Sequence, residues 1–247
     1  MKIVKIPKGN GKFRTIYAPD AQQKNALRVL VHSLNERGKA ACPHAHGFLP
    51  GRSPVTNAKA HVGRMFSVVF DLKDFFDTVK PSMVADCEPI CFVDGAARQG
   101  LPTSPAVANL AAAGMDADLA AAFPDCVFTR YADDLTFSTD CAERCRVLLL
   151  VVPLIVREHG FCINDSKTHT LCAKAGRRVI TGVAVGESDI QVPRHIRRNI
   201  RAALHQGNTR SARGLQEWEK LKPPVEGKLI VSRAAQASAR ALAKRMS

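Results

Sequence analysis

Acidic side chains are scarce in this sequence. Its 247 residues hold 22 Asp and Glu against 36 Lys and Arg, a formal net charge of +14. An imbalance of that size favours an anionic partner: nucleic acid first, an acidic membrane surface or a ribosomal scaffold after it. Long hydrophobic runs are also missing. The longest, Val147 to Val156, is bracketed by Arg146 and Arg157, contains Pro153, and falls far short of the ~20 residues that span a bilayer. Met1 to Lys12 alternates lysine with apolar residues and has no apolar signal core. A soluble, cytoplasmic protein with no membrane partner is expected. Tight CxxC pairs are absent. Cys87–Cys91 and Cys141–Cys145 are spaced CxxxC, which argues against structural zinc and for reduced thiols used as small core residues. No repeat or low-complexity tract occurs.

What is present is a folding pattern. Hydrophobic residues make up 46% of the chain, enough for one large domain or two small ones. Met1 to Ile16 reads as short strands around a turn at Gly9-Asn10-Gly11. Ala21 to Arg37 reads as a helix ended by Gly38. Cys42 to Pro54, rich in Pro, Gly and His, reads as loop. Met65 to Asp71 is a β-branched and aromatic strand that ends on a carboxylate. Ser104 is placed to cap a helix with Pro105 at its first position, running to about Ala122. Val127 to Tyr131 and Leu135 to Thr139 are strands on either side of a tight acidic turn. Ala142 to His159 is helical, with a disturbance at Pro153 and a cap at Gly160. Strands follow at Phe161 to Ile163, Thr168 to Cys172 and Arg178 to Val185. The central order suggests a split βαβ sheet with helices on one face. From Pro193 the character turns basic. Arg194, Arg197, Arg198 and Arg201 share one helical face, with Ile196, Ile200, Ala203 and Leu204 on the other. After Pro223-Pro224 a last basic helix spans Ser232 to Arg245, and this quarter reads as a separate lobe.

Three carboxylates carry the chemistry. Asp71 ends a buried strand, and Asp133 and Asp134 share a hairpin turn after Tyr131-Ala132. Adjacent carboxylates raise each other's pKa unless a positive charge is near. They are therefore either solvated at a loop tip or bound to a cation. Mg²⁺ prefers such hard oxygen ligands. Two ions about 4 Å apart can activate a 3′-hydroxyl and stabilise a leaving pyrophosphate. Asp71 and Asp133 would be the indispensable ligands and Asp134 a secondary one.

The ordered set around these residues resembles the reverse transcriptases, from about Ile6 to Ile200. Gly11-Lys12-Phe13-Arg14-Thr15-Ile16 is similar to the fingers motif, which implies that Arg14, helped by Lys8 or Lys12, grips the incoming triphosphate. Asp71-Leu72-Lys73-Asp74-Phe75-Phe76 is similar to motif A. By that likeness Leu72 joins the metal site, Phe75 and Phe76 line the nucleotide site, and Phe76 is the gate that excludes a 2′-hydroxyl. Gln99-Gly100-Leu101-Pro102-Thr103-Ser104-Pro105 is similar to motif B, which packs on the nascent base pair. Tyr131-Ala132-Asp133-Asp134 resembles motif C. Asn164-Asp165-Ser166-Lys167 resembles motif D, with Lys167 the candidate general acid.

Two further elements resemble the retron reverse transcriptases: Asn57-Ala58-Lys59-Ala60-His61, an N-A-x-x-H pattern, and Ile180-Thr181-Gly182, a V-T-G pattern with Ile for Val. Asn57, His61, Thr181 and Gly182 are therefore candidate RNA contacts, as are the four arginines from Arg194 to Arg201. For His61 a polar role inside the fold is an equal alternative. The resemblance implies an α+β right-hand polymerase: an antiparallel palm sheet backed by helices, short fingers and a small helical thumb. Fingers are expected over 1–64, palm over 65–189 with a shortened excursion at 78–98, and thumb over 190–247. The implied activity is RNA-directed DNA polymerisation with two Mg²⁺ ions, which Mn²⁺ can replace. The implied partners are an RNA template and RNA–DNA hybrid, dNTPs, a cognate structured noncoding RNA and an effector protein in antiphage defence. The lack of an endonuclease or maturase region argues against a complete group II intron protein. The alternatives are another bacterial defence or intron-like reverse transcriptase, or a catalytically idle RNA-binding scaffold.

Overall fold

The computed structural model describes residues 1–9 and 11–221, without the side chains of residues 8, 9 and 12. The turn residue Asn10, the Pro223-Pro224 break and the helix expected at Ser232 to Arg245 lie outside the described residues. In chain order the elements are β1 (Lys2–Gly9), β2 (Lys12–Ala18), α1 (Ala21–Ala41), α2 (Pro54–Ala60), β3 (Phe66–Asp71), α3 (Phe75–Thr78), α4 (Ser104–Ala111), α5 (Ala113–Ala122), β4 (Val127–Tyr131), β5 (Asp134–Thr139), α6 (Ala142–Glu158), β6 (His169–Cys172), β7 (Arg178–Ile180), β8 (Val183–Val185), β9 (Ile190–Gln191), α7 (Arg194–His205) and α8 (Thr209–Glu219). They form two compact units. Met1–Pro43 and Asp74–Gly114 make up the first, and His44–Lys73 with Met115 to the end of the described residues the second.

In the first unit β1 and β2 pair as an antiparallel hairpin. Asp20 caps α1, its Oδ1 accepting the Gln23 amide at 2.9 Å while Gln23 reaches back to the Asp20 amide. Gly38 does not end this helix as expected. It is buried inside it, and the Cys42 amide still donates to its carbonyl at 2.9 Å. A lone glycine only weakens a helix, by about 1 kcal/mol against alanine, and α1 packs along α4. Ser104 is not the cap residue either. It is the first residue of α4, and its hydroxyl donates to the Arg98 carbonyl at 2.6 Å. The Ala-rich stretch is two helices, broken at Ala112.

The second unit is built on a four-stranded antiparallel sheet in the order β4-β5-β3-β6. Alternation sorts its side chains. Val68 and Phe70 of β3 lie level with Phe137 and Leu135 of β5 on one face. Met115, Leu119 and Phe123 of and after α5, and Leu148, Val152 and Val156 of α6, are buried as part of the same core. Phe137 stacks on Phe128 at 4.5 Å and meets Phe70 and Phe123 edge-on. The other face is polar. Ser67 and Ser138 share a 2.6 Å hydrogen bond there, and Arg178 donates to Ser67 at 2.7 Å and to the His61 carbonyl at 2.6 Å. The expected strand over Arg178 to Val185 is a hairpin, β7 and β8, turning at Thr181-Gly182 with φ of 45° and 79°. Phe161 to Ile163 contributes only a bridge from Ile163 to Leu72. Among the described residues no helix is long and apolar enough to cross a membrane.

Candidate active site

Asp71 is the last residue of β3, and the register sets it directly opposite Asp134, the first residue of β5. Alternation from Phe70 and Leu135 puts both carboxylates on the sheet face away from α5 and α6. Asp133 lies in the two-residue turn that joins β4 to β5, where Ala132 takes a φ of 56°. A positive φ costs a residue with a Cβ roughly 1–2 kcal/mol, so the surroundings must hold it. The turn is tied to β3 by the Leu72 amide, which donates to the Asp133 carbonyl at 2.8 Å. The Leu72 side chain is buried and has no donor atom, so this residue could serve a cation through its backbone carbonyl alone.

The electrostatics match this crowding. Burial, then Asp133 and then Asp71, push the Asp134 carboxyl up to about 6, against the pull of Lys167 and His169. Lys167 supplies the nearest opposite charge. Its Nζ donates to Asp71 Oδ2 at 2.7 Å, and that bond, with the three carboxylates, raises the lysine pKa. Asn164 Nδ2 donates to Asp71 Oδ1 at 3.0 Å. Asp71 is thus turned onto Lys167 and Asn164. This differs from the expected joint ligand set: among the described residues no three His, Cys, Asp or Glu side chains stand ready around a metal ion. The donor chemistry still fits a hard divalent cation, because three carboxylates with one exposed lysine leave the cluster net negative.

The other expected nucleotide-site residues lie in the first unit. Arg14 is exposed on β2, opposite Ile6 in the hairpin. Of the Lys8 and Lys12 side chains nothing is described. Phe75 is buried at the start of α3 and Phe76 half-buried, their rings 5.6 Å apart. The Gln99 carbonyl accepts the Tyr17 amide at 2.8 Å. Gly100 has a φ of 110°, and a Cβ there would stand 2.5 Å from the Tyr17 carbonyl oxygen, so motif B and β2 meet backbone to backbone.

The expected RNA contacts divide. Asn57 and His61 are fully buried, and both side chains bond within the fold. Asn57 Nδ2 donates to Thr181 Oγ1 at 3.3 Å, and His61 Nε2 hydrogen-bonds Thr129 Oγ1 at 2.7 Å. The N-A-x-x-H and V-T-G elements are two halves of one packed unit, with Ala58 against Ile180, Val183 and Val185. The Thr181 hydroxyl donates to the Pro54 carbonyl, while Gly182 stays exposed. Arg194, Arg197, Arg198 and Arg201 are exposed along α7, with Arg197 3.4 Å from Glu219. Sequence reasoning missed Asn164 as a partner of Asp71, and it missed the buried pair Arg130–Asp116. The available signal was an arginine alone in an otherwise uncharged strand.

Comparison with known proteins agrees with this architecture. Residues 91–212 match the family described as "Reverse transcriptase (RNA-dependent DNA polymerase)". That stretch includes Asp133, Asp134 and Lys167. The chain is 34% identical to the retron Mx65 reverse transcriptase of Myxococcus xanthus, over 81% of this chain and 54% of that protein. It is 33% identical to the retron Mx162 enzyme of the same organism, over 88% and 54%, and 27% identical to the retron Ec86 enzyme of Escherichia coli, over 78% and 65%. The chain therefore spans about half the length of the Myxococcus xanthus relatives. Among solved structures, apo telomerase from Candida tropicalis truncated from its C-terminal domain matches 78% of this chain and 54% of that one, with a TM-score of 0.53 and 14% identity, which shows the polymerase fold. Residues 91–212 thus match the reverse transcriptase family, and over most of its length the chain is similar to the reverse transcriptases of retrons.

Proposed function

We propose that this chain is an RNA-directed DNA polymerase of the retron kind, acting with two divalent cations held by Asp71, Asp133 and Asp134. The observation that carries the reading is the β3–β5 register, which sets Asp71 across from Asp134 beside the turn bearing Asp133. Mg²⁺ is the expected ion, and bound there it would acidify a primer hydroxyl and neutralise the departing pyrophosphate. The residues of the chain do the rest. Asn164 fixes one oxygen of Asp71. Lys167 holds its proton firmly because Asp71 raises its pKa, and a protonated amine is what a general acid for pyrophosphate requires. Leu72 offers a backbone oxygen. Arg14 binds triphosphate oxygens, and a guanidinium can do so in bidentate fashion. Phe75 and Phe76 line the sugar, with Phe76 rejecting a 2′-hydroxyl, and Gln99 and Gly100 meet the base pair. The exposed arginines of α7 bind phosphates of the hybrid or of a structured noncoding RNA, and the Thr181-Gly182 turn offers RNA its exposed glycine. In this reading the region from 190 onward is the thumb, and antiphage defence with an effector protein is the biological setting.

The test is primer extension by the purified chain on an RNA template, with dNTPs and NTPs compared. Mg²⁺-dependent use of dNTPs is expected, with Asp133→Asn abolishing it while RNA binding persists. Equal extension by Asp133→Asn would remove the catalytic assignment. RNA binding with no extension by the wild-type chain would favour the idle scaffold.

A further inference from the structure

Arg130 and Asp116 are buried to 0% and 1% side-chain exposure, in the helix-side core beneath the catalytic face. A pair this deep is weak evidence for stability, because apolar side chains of similar volume often serve as well. Its geometry shows another use. Arg130 Nε donates to both Asp116 oxygens, at 2.8 and 3.0 Å, and Nη2 donates to Oδ2 at 2.8 Å. The carboxylate thus fixes the plane of the guanidinium. A further nitrogen, Nη1, then donates to the Ala132 carbonyl at 3.1 Å, inside the turn that carries Asp133.

The same turn is held again by the 44–47 segment. Arg130 donates its amide to the His44 carbonyl at 2.8 Å and accepts the His46 amide at 2.6 Å. Gly47 is buried, and a Cβ on it would stand 2.4 Å from the Ala132 nitrogen. The peptide on one side of Ala132 is abutted by Gly47, and the peptide on the other side is bonded by Arg130. These contacts constrain a residue whose φ of 56° is otherwise unfavourable.

We propose that Arg130, oriented by Asp116, and Gly47 are positioning residues. They set the Ala132–Asp133 turn, and through it the affinity of the carboxylates for divalent ions. The proposal rests on the reading of Asp71, Asp133 and Asp134 as metal ligands. Groups that orient metal-binding carboxylates typically change affinity by about 10–100-fold when removed.

Binding of Mn²⁺ to the full chain, followed by electron paramagnetic resonance without nucleotide, tests this independently of activity. Three variants are compared beside thermal melts. Arg130→Lys keeps a buried cation against Asp116 but lacks the planar fork that also reaches Ala132. Arg130→Met with Asp116→Leu removes both charges together, and Gly47→Ala leaves the pair intact and presses on the turn. Each is expected to weaken Mn²⁺ binding by about 10-fold or more, with Arg130→Lys melting close to wild type. A merely structural pair would be rescued by lysine, so wild-type affinity in any variant that melts like wild type overturns the proposal. Failure of all three to fold would overturn it too, since a device that only positions a turn is removable. Asp133→Asn is the control. If it binds Mn²⁺ like wild type, the metal-ligand reading fails, and this proposal with it. If it loses Mn²⁺ while the Arg130 and Gly47 variants keep it, only this proposal fails.

Discussion

Asp134 bears a charge that the fold resists. Its carboxyl is raised from 3.8 to about 6, so the folded state favours the neutral form more than the unfolded chain does. The stability that this contributes is full below about pH 4 and is lost as pH rises through 6. Asp134→Asn should therefore be more stable than wild type at pH 8 in EDTA, by about 1–2 kcal/mol after allowing for solvent screening, and nearly equal to it at pH 4. Urea denaturation at the two pH values checks this, and a gap that does not grow with pH contradicts it. Lys167 holds the Asp71 oxygen that a cation would need. Lys167→Met should bind Mn²⁺ more tightly, by a few fold, yet extend primers about 100-fold more slowly if the lysine is the proton donor. Unchanged extension would leave Lys167 as a charge partner only. The carboxylates were legible in sequence because paired acids between apolar strands have few explanations. The capture of Asp71 by Lys167 and Asn164 was not, since side-chain direction depends on how residues 164–167 pack against β3.

Among the elements, α7 was the most legible, because four arginines at helical spacing declare a face. Replacing Arg194, Arg197, Arg198 and Arg201 by Gln should weaken RNA binding and flatten its salt dependence. If each arginine meets one phosphate, the slope of log K against log salt should fall by about 3–4. An unchanged slope would make the helix a solubilising surface. Leu204, expected on the apolar face, is 52% exposed, because only Ile200 and Ala203 of that face are buried. The break at Ala112 and the hairpin within 178–185 were illegible for a related reason. Alanine runs and short β-branched runs fit several local conformations, and tertiary packing chooses among them. Gly100 is a sharper case. Its φ of 110° and its approach to Tyr17 both forbid a side chain. Gly100→Ala should lower unfolding stability by about 2 kcal/mol or more, measured by urea denaturation. A change below about 0.5 kcal/mol, the usual size for a neutral surface site, would contradict the contact.

At the scale of the whole molecule, the second unit is joined through buried polar contacts that no local pattern announces. His61 and Arg178 link α2, β7 and the polar face of the sheet. Burial, then Arg178 and His46, hold the His61 imidazole down to about 3; burial, then Arg52 and His44, hold His46 down to about 4. Both rings are neutral when folded, so the stability they contribute is present above pH 6.5 and is lost as pH falls towards those values. The melting temperature should drop on acidification below 6.5, and less steeply in His61→Gln; parallel curves would contradict this. The right-hand polymerase class was legible because motif order survives along the chain, whereas the clasp between Asn57 and Thr181 joins segments 124 residues apart. Crystals of the protein soaked in Mn²⁺, with the metal located by anomalous scattering, test the central claim most directly. The account predicts Mn²⁺ bound by Asp71, Asp133 and Asp134, with Asp71 released from Lys167. Mn²⁺ found elsewhere, with Asp71 still paired to Lys167, would contradict it.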